Sequence, residues 1–281
     1  PQNTTLTVRY RSGGGLSHNV GVSQINSVNT LITEFKGAVP TSVAASIRAT
    51  LGVINPSPAS GGEDEPTIEE LRSIALLNKN SQNRIVTRED LIARVYSIPS
   101  NFGRVFRTSV RDNPNNPQAA ELYVISRDRF GKLTLSSDTL KTSLSRYLSK
   151  FRLVSDAIDI LDAQIVNIGV RYKVTIDPTA NGEVVLASIN NKISEYLSTK
   201  NSHIDQPINI GEIENMILNT HDVMNIVNLS FFGRFGVQDG NVYAGSGFNP
   251  TRNIDRGYLF PPRGGIFELK YPEQDVIGRI S

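Results

Sequence analysis

The sequence predicts an α+β protein: an N-terminal β-rich segment, then one or two α/β sandwich units with mainly antiparallel sheets, then a loop-rich C-terminal tail. Two observations carry this prediction. Between residues 67 and 232 the apolar pattern switches repeatedly between helical spacing and strict alternation. In addition, residues 86–110 and 208–231 share one plan: a β-branched start, an acidic first turn, a short apolar helix, a polar corner and an alternating strand. Interleaved helices and strands of this kind suit sheets covered by helices on one face.

The elements follow in order. Leu6, Val8 and Tyr10 alternate with Thr7, Arg9 and Arg11, the period of a half-buried strand, which Gly13, Gly14 and Gly15 end in a bulge or tight turn. Val20, Val22, Ile25, Val28 and Leu31 continue in short apolar steps. Pro40 and Thr41 open a helix carrying Val43, Ala44, Ile47 and Leu51, stopped by Gly52. NPSPASGGEDEP (residues 55–66) is a loop by composition. Thr67 and Glu70 have capping-box spacing ahead of Ile68, Leu71, Ile74 and Ala75; Thr87 and Asp90 repeat it, with a shorter acid, ahead of Leu91, Val95 and Ile98.

Strands are predicted at residues 105–110 and 122–126, separated by the turn-rich NPNNP. A helix follows on Leu140, Leu144, Tyr147, Leu148 and Phe151. Residues 165–176 form the cleanest strand, with Val166, Ile168, Val170, Tyr172, Val174 and Ile176 packed and Asn167, Gly169, Arg171, Lys173 and Thr175 toward solvent. Two helices remain, on Leu186, Ile189, Ile193 and Leu197, and on Ile213, Met216 and Ile217. The expected division is a β-rich segment with one helix over 1–56, a first α+β unit over 57–155, a second over 156–232, and a loop-rich tail with a terminal strand over 233–281.

Composition bounds the chemistry. The chain has 281 residues, 29 Lys+Arg against 27 Asp+Glu, no Cys and no Trp. Thiolate chemistry is therefore excluded, and a net charge of +2 argues against a dominant nucleic-acid channel. No apolar run reaches the roughly 18 residues of a membrane span. His18, His203 and His221 stand in separate segments without ligand spacing. Neither a phosphate-binding GxxxxGK[ST] nor a GxSxG elbow is present.

Glu63, Asp64, Glu65, Glu69 and Glu70 suit the start of a helix better than a calcium loop. Asp156, Asp159 and Asp162 read as a solvated stripe or loop edge. The basic residues between 104 and 152, with the partial stacking motif of residues 102–106, suit a solvated face or an acidic partner better than RNA. No catalytic residue, metal site or cofactor site is predicted. The aromatic residues and arginine of the tail, Phe235, Tyr243, Phe248, Tyr258, Phe260 and Arg263, have the composition of a protein interface, and equally of a tail that wraps its own domain; the two are compatible. A nucleic-acid-binding module and a glycan hydrolase are the alternatives. The second requires two carboxylates roughly 5–10 Å apart in a cleft.

ASGGEDEPTIEELR (residues 59–72) followed by QNRIVTREDL (residues 82–91) resembles the signature of baseplate J-like proteins of contractile phage tails. The residues that carry the resemblance are Gly61, Gly62, Glu63, Asp64, Glu70, Arg72, Arg84, Val86, Thr87, Glu89 and Asp90. The start and end, LTVRYRSGGGLSHNV and FPPRGGIFELKYPEQDVIGRI, look like the wedge-protein branch of T-even-type tails. Ile85 stands where the family often has Ala and Leu91 where Tyr is common, and Pro66 interrupts the acidic run. The resemblance implies a structural, non-enzymatic virion subunit of the tail baseplate, assembled in the host cytoplasm. It implies self-association through dimer contacts in a sixfold ring, binding to other wedge proteins, and rearrangement on sheath contraction. No cofactor, small-molecule substrate, nucleic acid or membrane is implied. Lacking an initiating Met, the chain reads as the C-terminal part of a longer wedge subunit. The physical reading of the same residues is that the glycines permit a tight loop and the Thr/acid pairs cap two helices.

Overall fold

A computed structural model describes residues 15–80, 84–99, 102–116, 118–153 and 156–281. The strand expected at residues 6–11, together with Gly13 and Gly14, lies outside them. A 3-10 turn at Leu16–His18 precedes α1 (Thr41–Ala49), α2 (Ile68–Asn80) and α3 (Arg88–Tyr96). Then come β1 (Arg107–Asp112), β2 (Ala119–Arg127), β3 (Leu133–Thr134), α4 (Asp138–Leu148) and β4 (Ala157–Asp162). The next elements are β5 (Gln164–Ile176), α5 (Gly182–Tyr196), β6 (Ile208–Asn209), α6 (Ile210–Leu218) and β7 (Val223–Arg234). Four short strands follow: β8 (Val237–Gln238), β9 (Asn241–Val242), β10 (Ile254–Asp255) and β11 (Tyr258–Leu259). The chain closes with β12 (Gly265–Glu268), α7 (Pro272–Asp275) and β13 (Val276–Ile280).

The fold is α+β with mixed sheets. In the first sheet β2 is central, antiparallel to β1 and β3 and parallel to β4. Alternation along β2 feeds two different cores. Leu122 and Val124 join Leu91 and Val95 of α3 and Leu140, Leu144 and Leu148 of α4. Tyr123 and Ile125 face the other way, into a small cluster with Phe106, Leu133, Ile204 and Ile266. In the second sheet β5 is central, antiparallel to β7 and parallel to both β12 and β13. Val166, Ile168, Val170, Tyr172 and Val174 pack beneath α5 and α6. The two stretches with a common plan are the pairs α3–β1 and α6–β7, each a helix leading into a strand antiparallel to its central strand.

Three expectations are corrected. The described part of residues 1–56 carries no strand: its regular structure is the 3-10 turn and α1. Among the described residues the apolar steps at Val22, Ile25, Val28 and Leu31 have no neighbouring strand to complete a ladder, and they stay exposed. Gly15 belongs to the entry of the 3-10 turn rather than to a strand-ending bulge. The outer face of β5 is also not simply solvated. Arg171 is exposed, but Asn167 and Gly169 are buried, because α7 and the tail pack over that end of the strand. The tail is thus part of the second sheet, and removing residues 233–281 would strip β5 of both parallel neighbours.

Glu268 of β12 ties the two sheets together. Its carboxylate, 1% exposed, accepts hydrogen bonds from the Leu133 backbone N–H (2.7 Å) and from Asn167 Nδ2 (2.7 Å). Asn167 Oδ1 in turn accepts from the Ala244 N–H (2.7 Å). Burial raises the Glu268 pKa above the usual glutamate value, against the two hydrogen bonds and the nearby Lys270 and Lys132. The folded state therefore holds this proton more tightly than the unfolded chain. The associated stability is fully present below the usual glutamate pKa and is lost as pH rises through the raised one. Urea midpoints measured across that window should fall less steeply with rising pH in Glu268→Gln than in the wild type, although the variant loses one hydrogen bond. Equal slopes would contradict this account of the junction.

Candidate functional site

The signature loop joins three distant segments. Gly61 has φ +98°, a left-handed conformation that glycine adopts without steric cost, and its carbonyl accepts the Arg104 N–H (3.0 Å). The Gly62 N–H donates to Asn19 Oδ1 (2.9 Å), while Asn19 Nδ2 donates to the carbonyls of Gly62 and Arg127 (3.0 Å each). A Cβ on Gly62 would lie 2.7 Å from Asn19 Oδ1 and 2.8 Å from the Gly15 carbonyl oxygen, so the loop closes only with glycine there. Asn19 is 4% exposed, and one side-chain amide stitches the 3-10 turn, the loop and the end of β2 together. Asp64 Oδ1 completes the join by accepting the Leu16 N–H (3.0 Å).

A buried ion pair lies beneath this join. Arg127 donates to the Glu63 carboxylate from Nε (3.1 Å) and from a terminal guanidinium nitrogen, with the two side chains 11% and 6% exposed. The Arg127 guanidinium also sits 4.1 Å from the centroid of the Phe106 ring, and that of Arg107 sits 4.4 Å from the same centroid. Arg107 extends the array to Glu70 (3.3 Å) and to the Lys200 carbonyl (2.7 Å). Burial works to raise the Glu70 carboxyl, but the Thr67 N–H and Arg107 outweigh it and hold the group below the usual range. Both capping boxes form. Thr67 and Glu70 exchange hydrogen bonds at 3.1 and 3.2 Å. Asp90 reaches the backbone N–H groups of Thr87 (3.0 Å) and Val86 (3.2 Å) while Thr87 caps Asp90, so the shorter acid suffices. Arg72, Arg84, Val86 and Glu89 are exposed, and Ile85 and Leu91 enter the first core.

The tail residues divide. Phe235, Tyr258 and Phe260 are exposed. Tyr243 and Phe248 turn toward the body of the chain. The Tyr243 ring is buried, with its hydroxyl donating to Asp275 Oδ1 (2.8 Å), and Phe248 packs on the second core against Phe267. Arg263 is partly exposed, but its guanidinium is committed to Glu121 (2.6 Å).

The basic midsection is largely consumed by internal partners: Arg107 with Glu70, Arg127 with Glu63, Arg111 with Asp205 and Lys141 with Asp162. A cleft of about 240 Å³ includes Tyr196, His203, Ile208 and Glu212 in its lining, and the Glu212 carboxylate there accepts the Tyr196 hydroxyl (2.6 Å). His221 pairs with the adjacent Asp222, and His18 is exposed on the 3-10 turn. Among the described residues no group of three or more His, Asp or Glu could hold a metal ion.

Sequence reasoning missed Asn19, Phe106 and Arg127 as partners of the signature. They stand tens of residues from the loop in sequence, and no local pattern marks them.

No family model matches the sequence, and no curated protein matches it. Among solved structures, a chain of the anti-feeding prophage baseplate, determined by cryo-EM with 6-fold symmetrisation, is similar at 12% identity with a TM-score of 0.47. The likeness covers 97% of this chain and 51% of that one, so this chain spans about half the length of the one it matches.

The ion pair predicts a non-additive mutant cycle. Removing one partner strands a buried charge, so Glu63→Met and Arg127→Met should each cost about 3–5 kcal/mol. The double variant should cost less than the sum of the two, as read from denaturant unfolding. Additive losses would show that the two side chains act independently.

Proposed function

We infer that the chain is a structural subunit of a contractile phage-tail baseplate. The observation that carries this reading is where the signature residues meet. Gly61, Gly62, Glu63, Asp64 and Glu70 resemble the baseplate J-like pattern, and all five are spent on the clasp that joins an N-terminal segment to the body. Thr87 and Asp90 are spent on the cap of the helix beside it. A motif of this kind specifies how parts are joined, which is the work of a scaffold.

On this reading the chain acts through surfaces rather than through chemistry. Copies associate in dimer contacts within the inner wedge ring, other wedge proteins bind around them, and contacts re-pair when the sheath contracts. The two helix-covered sheets serve as stiff levers. Phe235, Tyr258 and Phe260 mark one outward contact region, and the virion tail is the place of action.

Mass spectrometry of purified tails encoded beside this chain tests the proposal. The chain should be found in the baseplate fraction, and tails from a deletion strain should lack an assembled baseplate. Complete, contractile tails without the chain would contradict the reading.

A further inference from the structure

The part of the chain left most open to solvent is an excursion rooted in the clasp. Its two ends are fastened to each other. Asn55 accepts the N–H groups of Ser23 (backbone O, 3.0 Å) and Ile25 (Oδ1, 2.9 Å), and its Nδ2 donates to the Gly21 carbonyl (2.8 Å). The Ala59 N–H donates to the Val20 carbonyl (2.8 Å). Between these ends, residues 22–54 carry twelve large apolar side chains that are at least 36% exposed, Ile32 reaching 85%. They include Val43 and Ile47, one turn apart on α1, a helix that buries only Ala44. The sequence pattern puts these residues on a helix, and among the described residues nothing covers them. So many exposed apolar side chains on one short stretch of chain mark an interaction site.

A second open face begins just after the clasp. α2 rests on α3 and holds Glu70 toward Arg107. The side of α2 away from Glu70 presents Ile68, Leu71 and Leu76, all exposed. The two faces match in charge. The excursion carries only Glu34, Lys36 and Arg48, a net +1, whereas Asp64, Glu65 and Glu69 stand exposed around the start of α2 with one cation, Arg72, among them, a net −2. Residues 22–54 also span about what one side of a standard interface uses, roughly 20–30 residues.

We propose that the excursion of one copy docks on the α2 face of a second copy, α1 lying along α2, in a reciprocal pair. This deepens the scaffold reading above and rests on it. Isologous contacts of this kind repeat the same two patches on both partners, so each patch is used once per copy. The clasp sets the direction in which the excursion leaves the body and so fixes which α2 it can reach.

Sedimentation equilibrium on the full chain tests this with two double variants, Val43→Asn/Ile47→Asn and Leu71→Asn/Leu76→Asn. All four positions are exposed, and circular dichroism should confirm that both variants keep the fold. The wild type should form a two-copy species, and each variant should weaken it at least tenfold. An equimolar mixture of the two variants should recover a mixed pair of intermediate strength, because it retains one intact excursion facing one intact α2. A monomeric wild type, an α2 variant that pairs as tightly as the wild type, or a mixture no stronger than either variant alone would each overturn the proposal. Tails that contain the chain, together with a monomeric chain in solution, would overturn this inference and leave the baseplate reading standing. Excursion-dependent pairing of a chain absent from tails would do the reverse.

Discussion

One side-chain amide joins three segments that are distant in sequence. Asn19 donates to the backbone of both Gly62 and Arg127 and accepts from Gly62. In doing so it brings together chain segments that no local interaction would unite. A buried amide that is fully hydrogen-bonded specifies one arrangement, because any other leaves polar atoms without partners in a dry site. The Glu63–Arg127 pair beneath it has the same logic with charge: its value lies in selecting one geometry more than in raw stability. Phe106 supplies the floor, and through it the clasp is continuous with the apolar seam that includes Ile125, Leu133, Ile204 and Ile266.

That seam couples the clasp to the second sheet. Ile266 belongs to β12, a parallel neighbour of β5, and Glu268 two residues later reaches back to Leu133 on the first sheet. Arg263 and Asp205 add further ties, to Glu121 and to Arg111 respectively. The two sheets are therefore joined by apolar packing and by polar contacts that depend on exact position. A body built this way transmits displacement rather than absorbing it.

Much of the fold was legible because most elements are locally consistent. The 165–176 strand, the Thr/acid caps and the apolar spacing of α4 and α5 each specify their own structure within a few residues. The tail was harder to read. Tyr243 and Phe248 have the composition of an interface, but the chain returns along β5, burying Tyr243 and packing Phe248 on the core, an outcome set by parallel pairing across about a hundred residues. Likewise the apolar stripe of α1 has helical spacing, and spacing cannot say whether a helix packs inside its own chain or against another. The signature loop was read as folding instruction. What those instructions fasten became visible only when Asn19, Phe106 and Arg127 were brought beside it.

The central claim is that the clasp belongs to the cooperative body of the protein and is not a surface latch that opens on its own. Native-state hydrogen exchange at the Gly62 and Leu16 amides tests it most directly, since those N–H groups bond to Asn19 and Asp64. The account predicts that both exchange with opening free energies close to those of Leu122 and Val124 in the core of β2, showing that the clasp opens only when the first sheet does. Exchange at rates typical of exposed loops, with β2 still protected, would contradict it.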